Sequence, residues 1–163
     1  MNLKVRSLDK ILENSVTSKV IETLTPEYAA PLLSQLIGQE LASDFIVCDL
    51  TYFKKYNDFL YSECPEAKGV WVVFATSGQG DFWLLNYSKN LIGYYEHNDE
   101  NLSLENIKNM RFDLKTWIIL ADLIHQLELK SESDDLNAQD RKELITELKS
   151  LDISLENLPF EYF

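Results

Sequence analysis

The densest group of chemistry-bearing side chains in this chain is Glu96-His97-Asn98-Asp99-Glu100, carboxylates gathered around an imidazole. Such oxygen and nitrogen donors can ligate a metal ion, and Glu96, His97 and Asp99 could serve acid–base chemistry in a small enzyme. An extended strand, however, turns neighbouring side chains to opposite faces, so adjacent ligands do not converge. The segment therefore reads as a solvated strand end with a structural histidine. The other histidine, His125, lies in an apolar helical stretch and is expected to donate a hydrogen bond in the core. Gly78-x-Gly80 lacks the following helix that a phosphate loop needs, and Asp81 brings negative charge to the same point, so it reads as a hairpin turn. Cys48 and Cys64 form no Cys-x-x-Cys pair and have no histidine at zinc spacing. They read as reduced thiols, consistent with a cytoplasmic protein. No nucleophile elbow, Cys–His–Asn signature or Walker motif is present. The expectation is a protein with no catalytic residues, metal or cofactor of its own.

Charge narrows the possible partners. The 163 residues carry 15 Lys and Arg against 27 Asp and Glu, a net charge of −12. Affinity for nucleic acid comes largely from cations neutralising phosphates, so a generic nucleic-acid binder is excluded. Docking on an anionic membrane surface is disfavoured for the same reason. The longest apolar stretches, Val70 to Ala75 and Trp117 to Ala121, are far too short to span a bilayer, and residues 1–10 show no secretory apolar region. Asp99, Glu100, Asp134, Asp135, Asp140 and Glu143 form acidic runs. These are either a solvated face or a surface complementary to a basic partner such as a nuclease, whose own cleft must be positive. On the second reading Asp99, Glu100, Asp134 and Asp135 are the expected contacts.

The elements that must hold these residues divide into a helical start, a β-rich middle and a helical end. With 45% hydrophobic residues, a chain of this length can bury one core, and the expectation is a single domain over 1–163 with a helical extension at 128–163. Ser7 can cap a short helix through Leu12, and Thr25-Pro26 signals a second, in which Pro31 must mark either the true start or a kink. Gly38 can end it. Asp44 to Tyr52 reads as extended, and Tyr52 to Pro65 is aromatic-rich without a decisive period. Val70–Ala75, Asp81–Tyr87 and Leu91–Tyr95, joined by Ser77–Gly80 and Ser88–Asn90, predict an antiparallel meander. Both faces of its first strand are apolar, which places it centrally, covered on both sides. Asp113 should cap a core helix through Leu127, Lys130–Asp135 a charged linker should follow, and Asn137 should cap a last amphipathic helix. The apolar tail, Leu158 to Phe163, should dock on the core.

Within the meander, Val72-Val73-Phe74-Ala75-Thr76-Ser77-Gly78-Gln79-Gly80-Asp81-Phe82-Trp83-Leu84-Leu85 resembles the SUKH superfamily. That group includes fungal cell-wall-assembly regulators and bacterial toxin-immunity proteins. Its order of a Gly-Gly-Asp-type turn, an aromatic strand and a strand ending in His is similar to Gly80-Asp81-Phe82-Trp83 followed by Tyr94-Tyr95-Glu96-His97. Gln79 stands where the family has its first glycine, Asn98 where an acid is common, and Leu24-Thr25-Pro26-Glu27-Tyr28 is a shifted form of its Leu-Pro-x-x-Tyr start. The resemblance implies an α+β fold, a central antiparallel sheet wrapped by N-terminal and C-terminal helices. It implies no enzymatic activity and a function in binding and neutralising a toxic enzyme, or alternatively in regulation as an adaptor. It assigns Gly80, Asp81 and His97 to architecture, Gly80 permitting the turn and Asp81 holding turn N–H groups.

Overall fold

In the computed structural model, which describes residues 2–15, 25–99 and 101–163, the β-rich middle becomes a six-stranded antiparallel sheet in sequential order. Its strands are β1 (Glu40–Ala42), β2 (Phe45–Val47), β3 (Trp71–Thr76), β4 (Phe82–Asn86), β5 (Ile92–Tyr95) and β6 (Lys108–Asn109). The helices are α1 (Leu8–Leu12), α2 (Ala30–Leu33), α3 (Leu50–Glu63), α4 (Leu114–Ser133) and α5 (Ala138–Ser150). The α+β fold expected from the sequence is thus the one observed. Its three-stranded meander is enlarged by β2, from the stretch expected to be extended, and by two short strands, β1 and β6, that carry too few residues to leave a periodic signal.

Alternation along the strands assigns the two faces. On β4, Phe82 meets Tyr56 of α3 with ring centroids 5.2 Å apart, whereas its neighbour Trp83 meets Trp117 of α4 at 5.9 Å. So α3 covers one face of the sheet and α4 the other, which is why both faces of β3 are apolar. Asn57, buried within α3, clamps the helix to β3: its amide donates to the Val73 carbonyl at 2.8 Å and accepts from the Val73 N–H at 2.8 Å. On the opposite face Phe45, Phe74, Trp83 and Trp117 form an aromatic core, with Phe74 and Trp117 4.8 Å apart edge to face. Phe160 of the tail closes this cluster, 6.1 Å from Phe45, 6.0 Å from Trp83 and 5.7 Å from Tyr94. The tail therefore docks, as expected of apolar residues at a terminus.

Several local expectations need correction. Asp44 to Tyr52 is extended only at β2, because Asp49 accepts from the Tyr52 N–H at 2.9 Å and starts α3. Of the two readings of Pro31, the true start holds: α2 begins at Ala30 with the proline in its first turn, where the missing N–H costs nothing, but it ends at Leu33, and turns rather than helix lead on to Gly38. Lys130 to Ser133 is no linker but the last turn of α4, and Lys130 pairs there with Asp140. Asp140 is consequently buried in the Asn137 capping box that opens α5, not part of an acidic surface. Residues 128–163 are built into the fold, since Leu144 and Leu148 of α5 are fully buried. His125 faces outward and lies 3.8 Å from Glu128; the apolar stripe of α4 runs past it through Ile124 and Leu127.

Candidate binding groove

The turn between β3 and β4 organises the site. Gly80 takes φ +94°, a left-handed conformation that other residues adopt only at a cost. The hydroxyl of Ser77, not Asp81, accepts the turn N–H groups of Gln79 at 3.2 Å and Asp81 at 3.1 Å. Asp81 is thereby freed to look inward. It accepts from the Ser77 hydroxyl at 2.8 Å and from the Tyr94 hydroxyl through one oxygen. Through the other it accepts from the His97 N–H at 3.0 Å and from His97 Nδ1 at 2.6 Å. Facing a carboxylate, Nδ1 carries the imidazole proton. Burial alone would raise the Asp81 carboxyl, but hydrogen bonds from Tyr94, His97 and Ser77 outweigh it and hold the group below its usual range. A carboxylate with four donors is saturated and has little left to offer a ligand. Its work is to fasten the chain leaving β5 to the β3–β4 turn.

That fastening breaks up the acidic cluster noted in the sequence. His97 turns to Asp81, and Glu96 turns toward Lys108 at 3.6 Å. Among the described residues, no three His, Cys, Asp or Glu side chains are arranged to hold a metal ion. Cys48 and Cys64 are buried and unpaired, and burial pushes the Cys48 thiol up to about 12. The thiols therefore stay protonated, poor ligands and poor nucleophiles.

Beyond His97 the chain runs through Asp99 and a 3-10 turn, Leu104–Asn106, back to β6. The Tyr95 hydroxyl donates to the Asp99 carbonyl at 3.3 Å, and the Asn106 amide donates to the Asn101 carbonyl at 2.7 Å. This return path and the C-terminal half of α3 enclose an open groove of about 910 Å³. Its lining includes Phe59, Glu63, Cys64, Glu66, Tyr95, His97, Asp99, Leu104 and Glu105, and among the described residues no Lys or Arg lines it. Phe59 is 48% exposed and Leu104 39%, so apolar surface lies open beside four carboxylates.

The aromatic part continues along α3. Buried Phe53, Asn57 and Leu60 mark the helix face that meets the sheet. Tyr52, Tyr56 and Phe59, at i, i+4 and i+7, form a second stripe beside it. Tyr52 stacks on Tyr56 at 5.5 Å, and Tyr56 and Phe59 both contact Phe82, which reaches Tyr95 at 6.1 Å. The result is a half-exposed aromatic ladder that ends in the acidic groove.

The residues singled out in the sequence are distributed unevenly around this groove. His97 and Asp99 line it, Asp81 lies behind it as an anchor, and Gly80 sits in the anchoring turn. Glu100 lies outside the described residues. Asp134 and Asp135 are exposed on the connection between α4 and α5, away from this lining. Phe59, Glu63 and Glu66 carried no sequence signal of function except their place in or beside an unassigned aromatic-rich stretch, and Glu105 carried none. No family model, curated protein or solved structure matches this chain.

Proposed function

We propose that this protein acts by binding another protein, as an immunity-type inhibitor that neutralises a basic toxic enzyme through direct contact. The observation that carries the reading is the half-exposed aromatic ladder of α3 ending among carboxylates that, among the described residues, no Lys or Arg neutralises. Tight protein interfaces are built from aromatic anchors inside a polar rim, and this groove has both. A net charge of −12 supplies the long-range attraction that speeds encounter with a positive partner. The resemblance of the Gly80–Trp83 and Tyr94–His97 segments to the SUKH superfamily names the class of partner, a toxin. In this reading the chain transforms no substrate. It covers a positive surface of the toxin, at or near the active site, and competes with whatever that surface holds. A cytoplasmic setting fits a partner that must be stopped inside the cell.

The test is protection. The toxin is recovered by affinity capture with the full chain, identified, remade recombinantly and co-expressed with wild type or with Phe59→Ala. Wild type should restore growth and Phe59→Ala should not, although circular dichroism finds both folded. Growth restored equally by the two variants, or a captured protein without toxicity, would overturn the reading.

A further inference from the structure

The two ends of the α3 aromatic ladder differ in how they meet cations. At the first end the chain supplies its own: the Lys55 ammonium lies 5.8 Å from the Tyr52 ring centroid, and Lys54 pairs with Asp58. At the second end Phe59 is equally exposed, yet among the described residues no Lys or Arg pairs with the Glu63, Glu66, Asp99 or Glu105 side chains that share its groove. Phe59 and Glu63 lie one turn apart on the same helix, so a flat cation laid on the ring has a carboxylate within reach.

We infer that this open end seats an arginine-bearing segment of the partner, with its guanidinium stacked on Phe59 and paired to Glu63. The inference rests on the binding function proposed above and specifies its chemistry. Arginine fits better than lysine. Its guanidinium is planar, stacks on aromatic faces, sheds water more easily and forms two parallel hydrogen bonds to one carboxylate. Leu104, exposed in the same lining, offers apolar surface to the aliphatic stem. A groove of about 910 Å³ holds more than one side chain, so Glu66, Asp99 and Glu105 remain for further cations of the same segment.

The experiment titrates three peptides into the isotope-labelled full chain: Ac-Gly-Arg-Gly-Arg-Gly-NH2, its lysine analogue and its citrulline analogue, which keeps the shape of arginine without the charge. The arginine peptide should shift the amides of Cys64, Asn101, Leu102 and Asn106. It should bind about tenfold tighter than the citrulline peptide, with lysine between. Phe59→Ala and Glu63→Gln, both at exposed positions, should each weaken the arginine peptide about threefold or more and leave the citrulline peptide unchanged. Equal binding of arginine and citrulline peptides, or shifts centred on Asp134 and Asp135, would overturn the inference. If Phe59→Ala abolishes toxin binding while the arginine peptide leaves the groove unmoved, the inference fails and the binding function stands. If the peptide seats as described but the chain neutralises no toxin, the inference stands and the function fails.

Discussion

The Asp81 cluster and the Phe59 groove stand on either side of His97 and hold their polar groups in opposite ways. Around Asp81 every strong group is answered: a buried carboxylate takes four donors from Ser77, Tyr94 and His97. In the groove, four carboxylates and an exposed phenyl ring share a lining to which, among the described residues, no Lys or Arg contributes. The first arrangement rigidifies, and the second is the one that the proposed binding function uses. A site that resembles a motif can therefore be a frame, and under the proposed function the binding surface is the plainer segment that the frame holds in place.

The largest expected effect comes from breaking the frame. Asp81→Ala leaves the Tyr94 hydroxyl and the His97 N–H without their acceptor inside the protein. It should cost about 3 kcal/mol or more in urea unfolding. Partner binding should fall only in proportion to the unfolded fraction and any loosening of the return loop. If Asp81→Ala is as stable as wild type, the contrast between frame and groove is lost.

Next comes the tail. Phe160→Ala removes the ring that closes the Phe45–Trp83–Tyr94 cluster and should cost about 2 kcal/mol, with a red-shifted tryptophan emission as Trp83 gains water. An unchanged emission would mean that the tail does not cover that cluster in solution.

A pH series sharpens the frame further. The Asp81 carboxyl is held below its usual range in the folded state, so its ionised form stabilises the fold above the unfolded pKa, about 4. That contribution is lost as pH falls through the lower folded value. The stability gap between wild type and Asp81→Asn should be widest near neutrality and narrow steadily below about pH 4. A gap independent of pH would remove the carboxylate from the account.

The smallest effect belongs to the exposed acids away from the groove. Asp134→Asn with Asp135→Asn should change stability and the equilibrium affinity for the toxin by about 0.5 kcal/mol or less. The same double change should slow association slightly at low salt and not at all at high salt. A large loss of affinity would move the interface to the α4–α5 connection.

How much of this was legible in the sequence differs between the two regions. The frame was largely readable: β-branched and aromatic strands, tight turns and the capping residues Asp113 and Asn137 are local signals, and each sits where local physics puts it. Even there, the partners of Asp81 could not be read, because Tyr94 and His97 reach it across strands, 13 and 16 residues on. The groove was hardly readable. Residues 50–63 hold the helical spacing Phe53, Asn57 and Leu60, but the buried stripe includes an asparagine, and Tyr52, Tyr56 and Phe59 favour strands by propensity. Asn57 faces the core only because the Val73 backbone satisfies its amide, a pairing between distant segments. His125 misled for a simpler reason: from Trp117 to Leu127 every residue of α4 is buried except His125.

The central claim, that function resides in the groove and not in the motif beside it, is tested most directly by calorimetric titration of the recombinant toxin with wild type and Phe59→Ala. The account predicts a loss of affinity of about 30-fold or more for Phe59→Ala, with an unfolding free energy within about 0.5 kcal/mol of wild type. Binding of Phe59→Ala as tight as that of wild type would contradict it.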